Sequence, residues 1–382
     1  MTEEKAVEIP AEQQRIGTID RIDLAVVRIP FVQPFGTSVQ TWSCKEALLL
    51  RLQSGSHVGW GECVADPDPY YLPETTESAR YIITRFLLPL LDPGLEMGEL
   101  ARQFRRIRGN QMAKATVENA LLQLIALRSG EPLYRILGGT DRRIPSGLSI
   151  GLQESIGALL EEVRSAVSRK YHRIKMKIQH GKDLDWVRAV RAEFPELPLM
   201  VDANGDYSLA DAGHLRRLDD FRLMMIEQPL GYADIYRHSI LQKQLETAIC
   251  LDESIHTLED AAAAVDLGAC RILNIKQGRV GGLLESVRMA AFAAGRKIGV
   301  WSGGMDETGI GRALNIHLQA VPGFDLPGDT SETAHYFRED IIDQPVRLDP
   351  EGFIPIPPGP GLGVEVIPER LMKYAIAWHR IR

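Results

Sequence analysis

The sequence predicts an α/β protein in which a βα barrel follows an α+β unit. One observation is a series of charged residues, each placed directly after a short apolar run. From Lys177 onward these residues lie 25, 25, 25 and 24 positions apart, which leaves room for one helix and two turns between buried parallel strands. A second observation is that β-rich runs precede helical patterns in the first third of the chain. The length of 382 residues, 45% of them hydrophobic, suits a barrel with an additional unit.

The first unit begins with two β-rich stretches, 16–30 and 46–61. They predict an antiparallel sheet, and the segment FVQPFGTSVQTWS between them is expected to be a mobile loop that closes over a site. The alternative is a surface loop without such a role. The helical patterns that follow are at residues 74–91, 96–108 and 113–129. These elements together predict an α+β domain over residues 16–138.

The second unit alternates strands and helices over residues 139–350. Eight parallel strands close a barrel, although the eighth apolar run, VPGFDLPGD, is short and rich in proline. The predicted strands are near 146–152, 173–178, 198–202, 222–226, 248–251, 271–275, 297–301 and 323–327.

The two ends of the chain fall outside both units. Residues 1–15 are polar, lack the apolar core of a secretory signal, and are expected to form a flexible tail. Residues 351–382 begin with a stretch too rich in glycine and proline for a core element. We expect this C-terminal segment to return to the first domain.

Charge and cysteine content narrow the range of partners. The net charge is −7, the isoelectric point is about 5.8, and the basic residues are scattered, so we expect a small-molecule substrate and neither nucleic acid nor membrane as a partner. No apolar run is long enough to span a bilayer. The four cysteines form no CxxC pair, and with no secretory signal they indicate a reducing cytoplasm. Those cysteines are Cys44, Cys63, Cys250 and Cys270.

Three lysines are candidates for acid and base chemistry. Because side chains alternate along a strand, Lys175 and Lys177 share one direction while Met176 faces the helices. Crowding of two cations near a metal would lower a lysine's pKa and make it a useful base near neutral pH. Lys276 ends a later strand, and three strands lie between it and Lys177. It would therefore lie across the barrel mouth from Lys177.

The three strands between those lysines each end in a carboxylate. Asp202, Glu227 and Asp252 would converge as oxygen ligands with open coordination positions, which suits Mg²⁺ first and Mn²⁺ second. The alternative is three helix caps or a salt-bridge cluster with Lys276. Bases on opposite faces of a metal-held carboxylate indicate abstraction of a proton α to that carboxylate.

This arrangement resembles the enolase superfamily in its muconate-lactonizing subgroup, with KxK, Asp, Glu, Asp and Lys on successive strands over nearly the whole chain. Other stretches are similar to the family of o-succinylbenzoate synthases and N-succinylamino acid racemases. They are PFGTS (34–38), GWGECVADPDPYYLPET (59–75), IKQGRVGG (275–282), SGGMDETGIGRALN (302–315) and LPGDTS (326–331).

The resemblance implies a modified TIM barrel, (β/α)7β, under an N-terminal α+β capping domain that the C-terminal segment completes. It also implies two reactions: dehydration to o-succinylbenzoate for menaquinone biosynthesis, and racemisation of N-succinylamino acids. Lys177 would be the base, Lys175 its neighbour that tunes pKa and supports the enediolate, and Lys276 the opposite acid or base. Barrels of this family associate, so we expect a homo-oligomer.

Ten further residues are expected to bind the substrate. Two positions depart from the family pattern, since Gln277 replaces a proline and Asp306 a leucine. Asp306 would add an anion near the substrate's N-acyl tail, point to solvent, or favour a cationic substrate. The expected substrate-binding residues are Phe35, Thr37, Ser38, Asn204, Arg279, Ser302, Gly303, Gly304, Met305 and Asp306.

Other hypotheses remain open at this stage. Dipeptide epimerisation or muconate-type cycloisomerisation would use the same site. A base of the mandelate-racemase type would need a histidine after the seventh strand, where the sequence reads WSGGMDE; His317 lies later, in a helical pattern. A non-catalytic barrel that binds a carboxylate is the hypothesis from a different class. Arg279, three residues after Lys276, would adjust that lysine electrostatically or cap the next helix.

Overall fold

The computed structural model describes residues 7–382. Its first domain is an antiparallel sheet packed on helices. Its strands are β1 (Arg21–Gly36), β2 (Thr41–Ser54) and β3 (His57–Cys63). Its helices are α1 (Thr76–Ile82), α2 (Met97–Phe104), α3 (Gln111–Ser129) and α4 (Leu133–Ile136). A π turn covers Ile83–Leu87, and 3-10 turns cover Pro10–Gln13 and Leu88–Leu90.

Helix α3 lies against β3 at unusually short distance. A Cβ atom at Gly61 would lie 1.9 Å from the carbonyl oxygen of Thr116, and one at Gly59 would lie 2.2 Å from that of Ala120. Only glycine allows this approach, because any side chain would force the helix away from the sheet.

The segment predicted as a loop between the first two strands is a β-hairpin, so that prediction is wrong. The strands extend to Gly36 and resume at Thr41, with Phe35 opposite Trp42. A shift of register between Pro30 and Phe35 accommodates prolines that cannot donate to the ladder. The hairpin therefore carries its aromatic side chains beyond the sheet, toward the barrel.

The expected flexible tail is contradicted in its second half. Ile9 and Ala11 are buried in the core, and Arg15 forms an isolated bridge with Glu96. Burial of these apolar side chains holds the segment in place. The mostly polar composition of residues 1–15 gave no sign of this burial. Residues 1–6 lie outside the described part of the chain.

The second domain holds a curved parallel sheet of seven strands, in the order of the chain. A short strand, β4 (Ile144–Pro145), precedes it. The seven strands are β5 (Gly147–Ile150), β6 (Arg173–Lys177), β7 (Leu199–Asp202), β8 (Ile226–Glu227), β9 (Ile249–Leu251), β10 (Ile272–Ile275) and β11 (Gly299–Ser302). Each overlaps or adjoins a predicted strand, and the α/β barrel class is confirmed.

Helices and 3-10 turns fill the connections of this sheet. The helices are α5 (Ile156–Ser168), α6 (Leu184–Glu193), α7 (Ala212–Leu215), α8 (Ile235–Gln242), α9 (Leu258–Leu267), α10 (Gln277–Val280), α11 (Leu283–Gly295), α12 (Gly309–Leu318) and α13 (Thr333–Tyr336). The 3-10 turns cover Leu209–Asp211 and Arg216–Phe221.

The eighth place in the ring is filled without a regular strand. The predicted strand at 323–327 is wrong, but residues 326–329 bond to both neighbouring strands. Leu326 and Asp329 donate backbone N–H groups to β11, and Gly147 at the start of β5 donates to the carbonyl of Gly328. The prolines of this segment prevent a continuous ladder, while the remaining bonds close the ring.

The C-terminal segment returns to the first domain. A strand β12 (Phe353–Ile354) pairs with β4, and α14 (Pro368–Tyr374) leads into β13 (Ala375–Arg380), which pairs antiparallel with β1. The domain bounds 16–138, 139–350 and 351–382 remain our prediction. Within residues 7–382, the helices are all too short or too polar to traverse a bilayer.

Candidate active site

Charged side chains from neighbouring strands meet at the carboxyl ends of the parallel sheet. The register places Lys177 opposite Asp202, and Asp202 opposite Glu227. Asp252 and Lys276 directly follow β9 and β10. All five side chains are buried, because each strand is covered by helices on one side and by the capping domain above.

Lys175 lies among three carboxylates. Its Nζ is 2.7 Å from Asp329 Oδ2, 3.0 Å from Glu227 Oε2 and 3.2 Å from Asp202 Oδ2, and it lies 5.0 Å from the centre of the Trp301 ring. Burial disfavours its charge, but the carboxylates outweigh burial and raise the lysine's pKa well above the ordinary value. The expectation that two crowded cations near a metal lower a lysine's pKa stays a prediction.

Lys177 is held by two oxygen acceptors. Its Nζ donates to Asp202 Oδ2 at 2.6 Å and to Asn204 Oδ1 at 2.7 Å. Burial opposes ionisation of Asp202, but the charges of Lys177 and Lys175 outweigh it and hold the carboxyl pKa below its usual range. Asn204 also donates from Nδ2 to Glu253 Oε1 at 2.8 Å, so its amide is fixed from both sides.

Lys276 occupies the opposite side of the ring. Its Nζ lies 2.8 Å from Asp252 Oδ2, and Arg279 contacts the other oxygen of that carboxylate. The Arg279 guanidinium also donates to the backbone carbonyls of Ile255 and Asn274. Burial lowers its pKa to about 10.

Beside these lysines lies a cleft of about 790 Å³ of empty space, its open mouth included. It is bounded by the β1–β2 hairpin and by the segments that follow the barrel strands. Nine of the predicted catalytic and substrate-binding residues line it: Phe35, Thr37, Lys175, Lys177, Asn204, Lys276, Gly304, Met305 and Asp306.

Four predicted substrate-binding residues do not line the cleft. Ser38 donates from Oγ to the carbonyl of Ala203 and so fastens the hairpin tip to the barrel. Ser302 is fully buried, and Arg279 lies below Asp252. Gly303 faces Asn274, since a Cβ there would lie 2.2 Å from Asn274 Oδ1. These residues support the site from behind, and their direct contact with substrate stays a prediction.

Gln277 and His317 have structural roles. Gln277 Oε1 accepts a hydrogen bond of 2.5 Å from Asn119 in α3, so the departure from proline adds a contact between the domains. His317 is buried, and its ring nitrogens contact the backbone of Tyr134 and Leu362. His317 therefore packs in the core and does not act as a base at the barrel mouth.

Asp306 lines the cleft without a partner of its own. Within the described residues its carboxylate makes no hydrogen bond and no ion pair. Its backbone is left-handed, with φ +53, a conformation that aspartate tolerates better than most side chains. Burial raises its pKa, against the charge of Lys45. Asp306 thus presents its carboxyl group to the cleft.

Sequence reasoning missed several residues of the site. Lys45 and Tyr71 come from the capping domain, whereas Glu253 and Asp329 follow barrel strands or occupy the eighth place. The stretch 59–75 contains Tyr71, the motif LPGDTS contains Asp329, and Glu253 adjoins Asp252, so the sequence carried a signal for these three residues. For Lys45 no local pattern exists, because its role arises only when the two domains meet.

The three strand-end carboxylates have donor groups of the kind that bind a metal ion. Across the described residues, no three His, Cys, Asp or Glu side chains stand so that they could hold a metal ion. The reason is that Asp202, Glu227 and Asp252 face lysine and arginine side chains. The donor chemistry nevertheless fits a hard divalent cation, since all three are buried carboxylates and the Lys175 ammonium already places a positive charge between two of them. Their role as metal ligands stays a prediction.

Comparisons with known proteins agree with this geometry. The family described as "Enolase C-terminal domain-like" matches residues 158–370, and "Mandelate racemase / muconate lactonizing enzyme, N-terminal domain" matches residues 21–138. The chain is 45% identical to the o-succinylbenzoate synthase of Geobacillus kaustophilus, over 95% of this chain and 98% of that protein. It is 43% identical to the N-succinylamino acid racemase of an Amycolatopsis species, over 93% of this chain and 97% of that protein.

Solved structures show the same fold. An enolase-superfamily member from Enterococcus faecalis V583 superposes with a TM-score of 0.90 at 41% identity, over 97% of this chain and 100% of that one. The muconate lactonizing enzyme of Pseudomonas fluorescens gives a TM-score of 0.87 at 27% identity, over 94% of this chain and 100% of that one. The chain is therefore an enzyme of the enolase superfamily, in its muconate-lactonizing subgroup and the family of o-succinylbenzoate synthases and N-succinylamino acid racemases.

Proposed function

We propose that the enzyme abstracts a proton α to a carboxylate with the help of Mg²⁺, as an o-succinylbenzoate synthase, an N-succinylamino acid racemase, or both. The synthase reaction would be a dehydration in menaquinone biosynthesis. The observation that supports this proposal is the placement of Lys177 and Lys276 on opposite sides of one cleft, with three buried carboxylates on the strands between them. The similarity to relatives with these two names supports the choice of reactions.

The proposed mechanism assigns one proton-transfer role to each side of the cleft. Lys177 removes the α-proton, and its contacts with Asp202 and Asn204 fix the amine before the substrate arrives. The Lys175 ammonium, held by three carboxylates, stabilises negative charge as it develops on the enediolate. Lys276 then returns a proton from the other side in racemisation, or faces the intermediate as a cation in dehydration.

Asp202, Glu227 and Asp252 are the residues that would hold Mg²⁺, with Mn²⁺ as second choice. Bound there, the cation would neutralise charge on the substrate's carboxylate oxygens. The β1–β2 hairpin, with Phe35 and Trp42 in the cleft wall, would exclude water during the reaction. We further propose a homo-oligomer in the cytoplasm.

Proton exchange in D₂O tests this function. The protein with Mg²⁺ is mixed with N-succinyl amino acids of several side-chain types, and the α-proton signal is followed by NMR. Dehydratase activity is followed separately, as loss of the cyclohexadiene substrate's absorbance. We expect α-proton exchange, dehydration or both. If neither reaction occurs with any of the substrates, the proposal is wrong.

A second candidate function has one observation in its favour. The unpartnered carboxyl of Asp306 in the cleft could bind the free ammonium of a dipeptide. Exchange with dipeptides faster than with N-succinyl amino acids would favour a dipeptide epimerase. Muconate-type cycloisomerisation remains a further alternative on the same site.

A further inference from the structure

Tyr71 joins Lys276 and Asp252 in a closed hydrogen-bonded ring. Lys276 Nζ donates to the Tyr71 hydroxyl at 2.9 Å, the hydroxyl donates to Asp252 Oδ2 at 3.0 Å, and Lys276 Nζ lies 2.8 Å from the same Oδ2. The lysine also lies 5.3 Å from the centre of the Tyr71 ring. Because the phenol has only one hydrogen, its donation to the carboxylate leaves the oxygen free to accept from the lysine.

The segment that carries Tyr71 is fixed by the capping domain. Leu72, the next residue, is buried in the core, and the start of α1 is tied back by a hydrogen bond from the Thr76 N–H to the carbonyl of Asp66. Tyr70, the preceding residue, is 72% exposed. The chain therefore points one of two adjacent tyrosines into the cleft and the other into solvent.

The ring restricts how Lys276 can act. A lysine amine has three substituent positions besides its carbon, and Asp252 and Tyr71 occupy two of them. The third is left for the cleft, which Lys276 lines. Without the phenol, the long side chain would keep only Asp252 as an anchor and could turn away from the substrate.

We propose that Tyr71 is a positioning residue that orients Lys276 for proton transfer on one face of the substrate only. This inference rests on the proposed function, because it assumes that Lys177 and Lys276 serve opposite faces. The two lysines lie at the second and sixth places of the ring, counted from β5, and so face each other across the mouth. Each would exchange the α-proton of one enantiomer.

Enantiomer-specific exchange tests the proposal. The rates of α-proton exchange in D₂O are measured separately for the two enantiomers of one N-succinyl amino acid. Lys276→Ala and Lys177→Ala show which enantiomer depends on which lysine. Tyr71→Phe should then lower kcat about tenfold for the enantiomer that depends on Lys276, the effect expected from losing one hydrogen bond to a charged group. The other enantiomer should change less than about twofold, and KM should stay nearly constant.

The matched control is Tyr70→Phe, which removes the same hydroxyl from the exposed neighbour and should leave both rates unchanged. Equal losses for both enantiomers, a change confined to KM, or a larger loss on the Lys177 face would overturn the proposal.

A measurement without substrate separates this inference from the proposed function. In protein labelled with [6-¹³C]lysine, the signal of Lys276 is assigned with Lys276→Arg. Tyr71→Phe should move that signal and leave the signal of Lys177 in place, while the rest of the spectrum reports that the variant is folded. An unmoved Lys276 signal overturns the positioning role. Failure of the wild-type enzyme to exchange either enantiomer would count against the proposed function instead.

Discussion

Lys175 Nζ lies 2.7 Å from Asp329 Oδ2, and this ion pair joins the catalytic cluster to the segment that closes the barrel. The second oxygen of Asp329 contacts Arg173 at 2.6 Å, so two buried cations of one strand share a single carboxylate. The Asp329 side chain therefore links the segment in the eighth place of the ring to the charge of Lys175.

Asp329→Asn should destabilise the fold by about 3 kcal/mol, because it leaves two buried cations with one partner fewer. Urea unfolding followed by circular dichroism measures this loss. Asp325→Asn, four residues earlier and exposed, is the control and should change stability by less than about 0.5 kcal/mol. Equal stability of the two variants would show that the ion pairs contribute little.

Glu62 should make stability depend on pH. This buried carboxyl accepts hydrogen bonds from the N–H groups of Thr308 and Gly311, at the start of α12. Burial raises its pKa from 4.5 to about 7. The folded protein therefore binds a proton that the unfolded chain has lost, and the resulting stability is complete below pH 4.5 and disappears as pH rises through about 7.

In the wild type, the free energy of unfolding should fall between about pH 5 and pH 8, and Glu62 should account for up to about 3 kcal/mol of that fall. In Glu62→Gln this part of the fall should be absent. Denaturant titrations at several pH values measure the fall. The exposed Glu154→Gln should retain the wild-type profile. Parallel profiles for wild type and Glu62→Gln would contradict the assignment.

The barrel and its charged strand ends could be predicted because each depends on local order along the chain. Each short apolar run followed by a charged residue can be recognised from the local sequence alone. The register of the parallel strands then brings Lys177, Asp202 and Glu227 together. The eighth place escaped prediction because residues 326–329 bond to their neighbours without the alternating pattern of a strand.

Two contributions of the capping domain, Tyr71 and Lys45, could not be predicted from the spacing of charged strand ends. Tyr71 and Lys45 reach the site only through the packing of two domains, and no spacing in the sequence relates them to Lys276. The burial of Arg279 could not be predicted from the sequence either. Its position three residues after Lys276 suits either a surface cap or the buried contact with Asp252 that the structure shows.

Asp306 should discriminate between substrates by the charge at their far end. Asp306→Asn keeps a side chain that tolerates the left-handed backbone and removes the charge. The probes are an N-succinyl amino acid and its terminal amide, which have the same shape. We expect the variant to raise kcat/KM for the acid relative to the amide about tenfold, since a like charge in the cleft no longer opposes binding. An unchanged ratio would place the substrate's tail elsewhere.

Each of the three strand-end carboxylates should contribute to Mg²⁺ binding. Asp202→Asn, Glu227→Gln and Asp252→Asn should each weaken binding at least about tenfold in titration calorimetry, because a ligand oxygen loses its charge. Asp325→Asn is the control, and Mn²⁺ can be titrated in the same way. Unchanged dissociation constants in the three variants would rule these residues out as ligands.

The most direct test of the account is α-proton exchange by Lys177→Ala. The substrate is the N-succinyl amino acid enantiomer whose exchange survives in Lys276→Ala, and exposed Lys243→Ala is the control. If Lys177 is the base, its removal should slow exchange of this enantiomer at least about a hundredfold while Mg²⁺ binding persists. Exchange by Lys177→Ala at the wild-type rate would contradict the central claim.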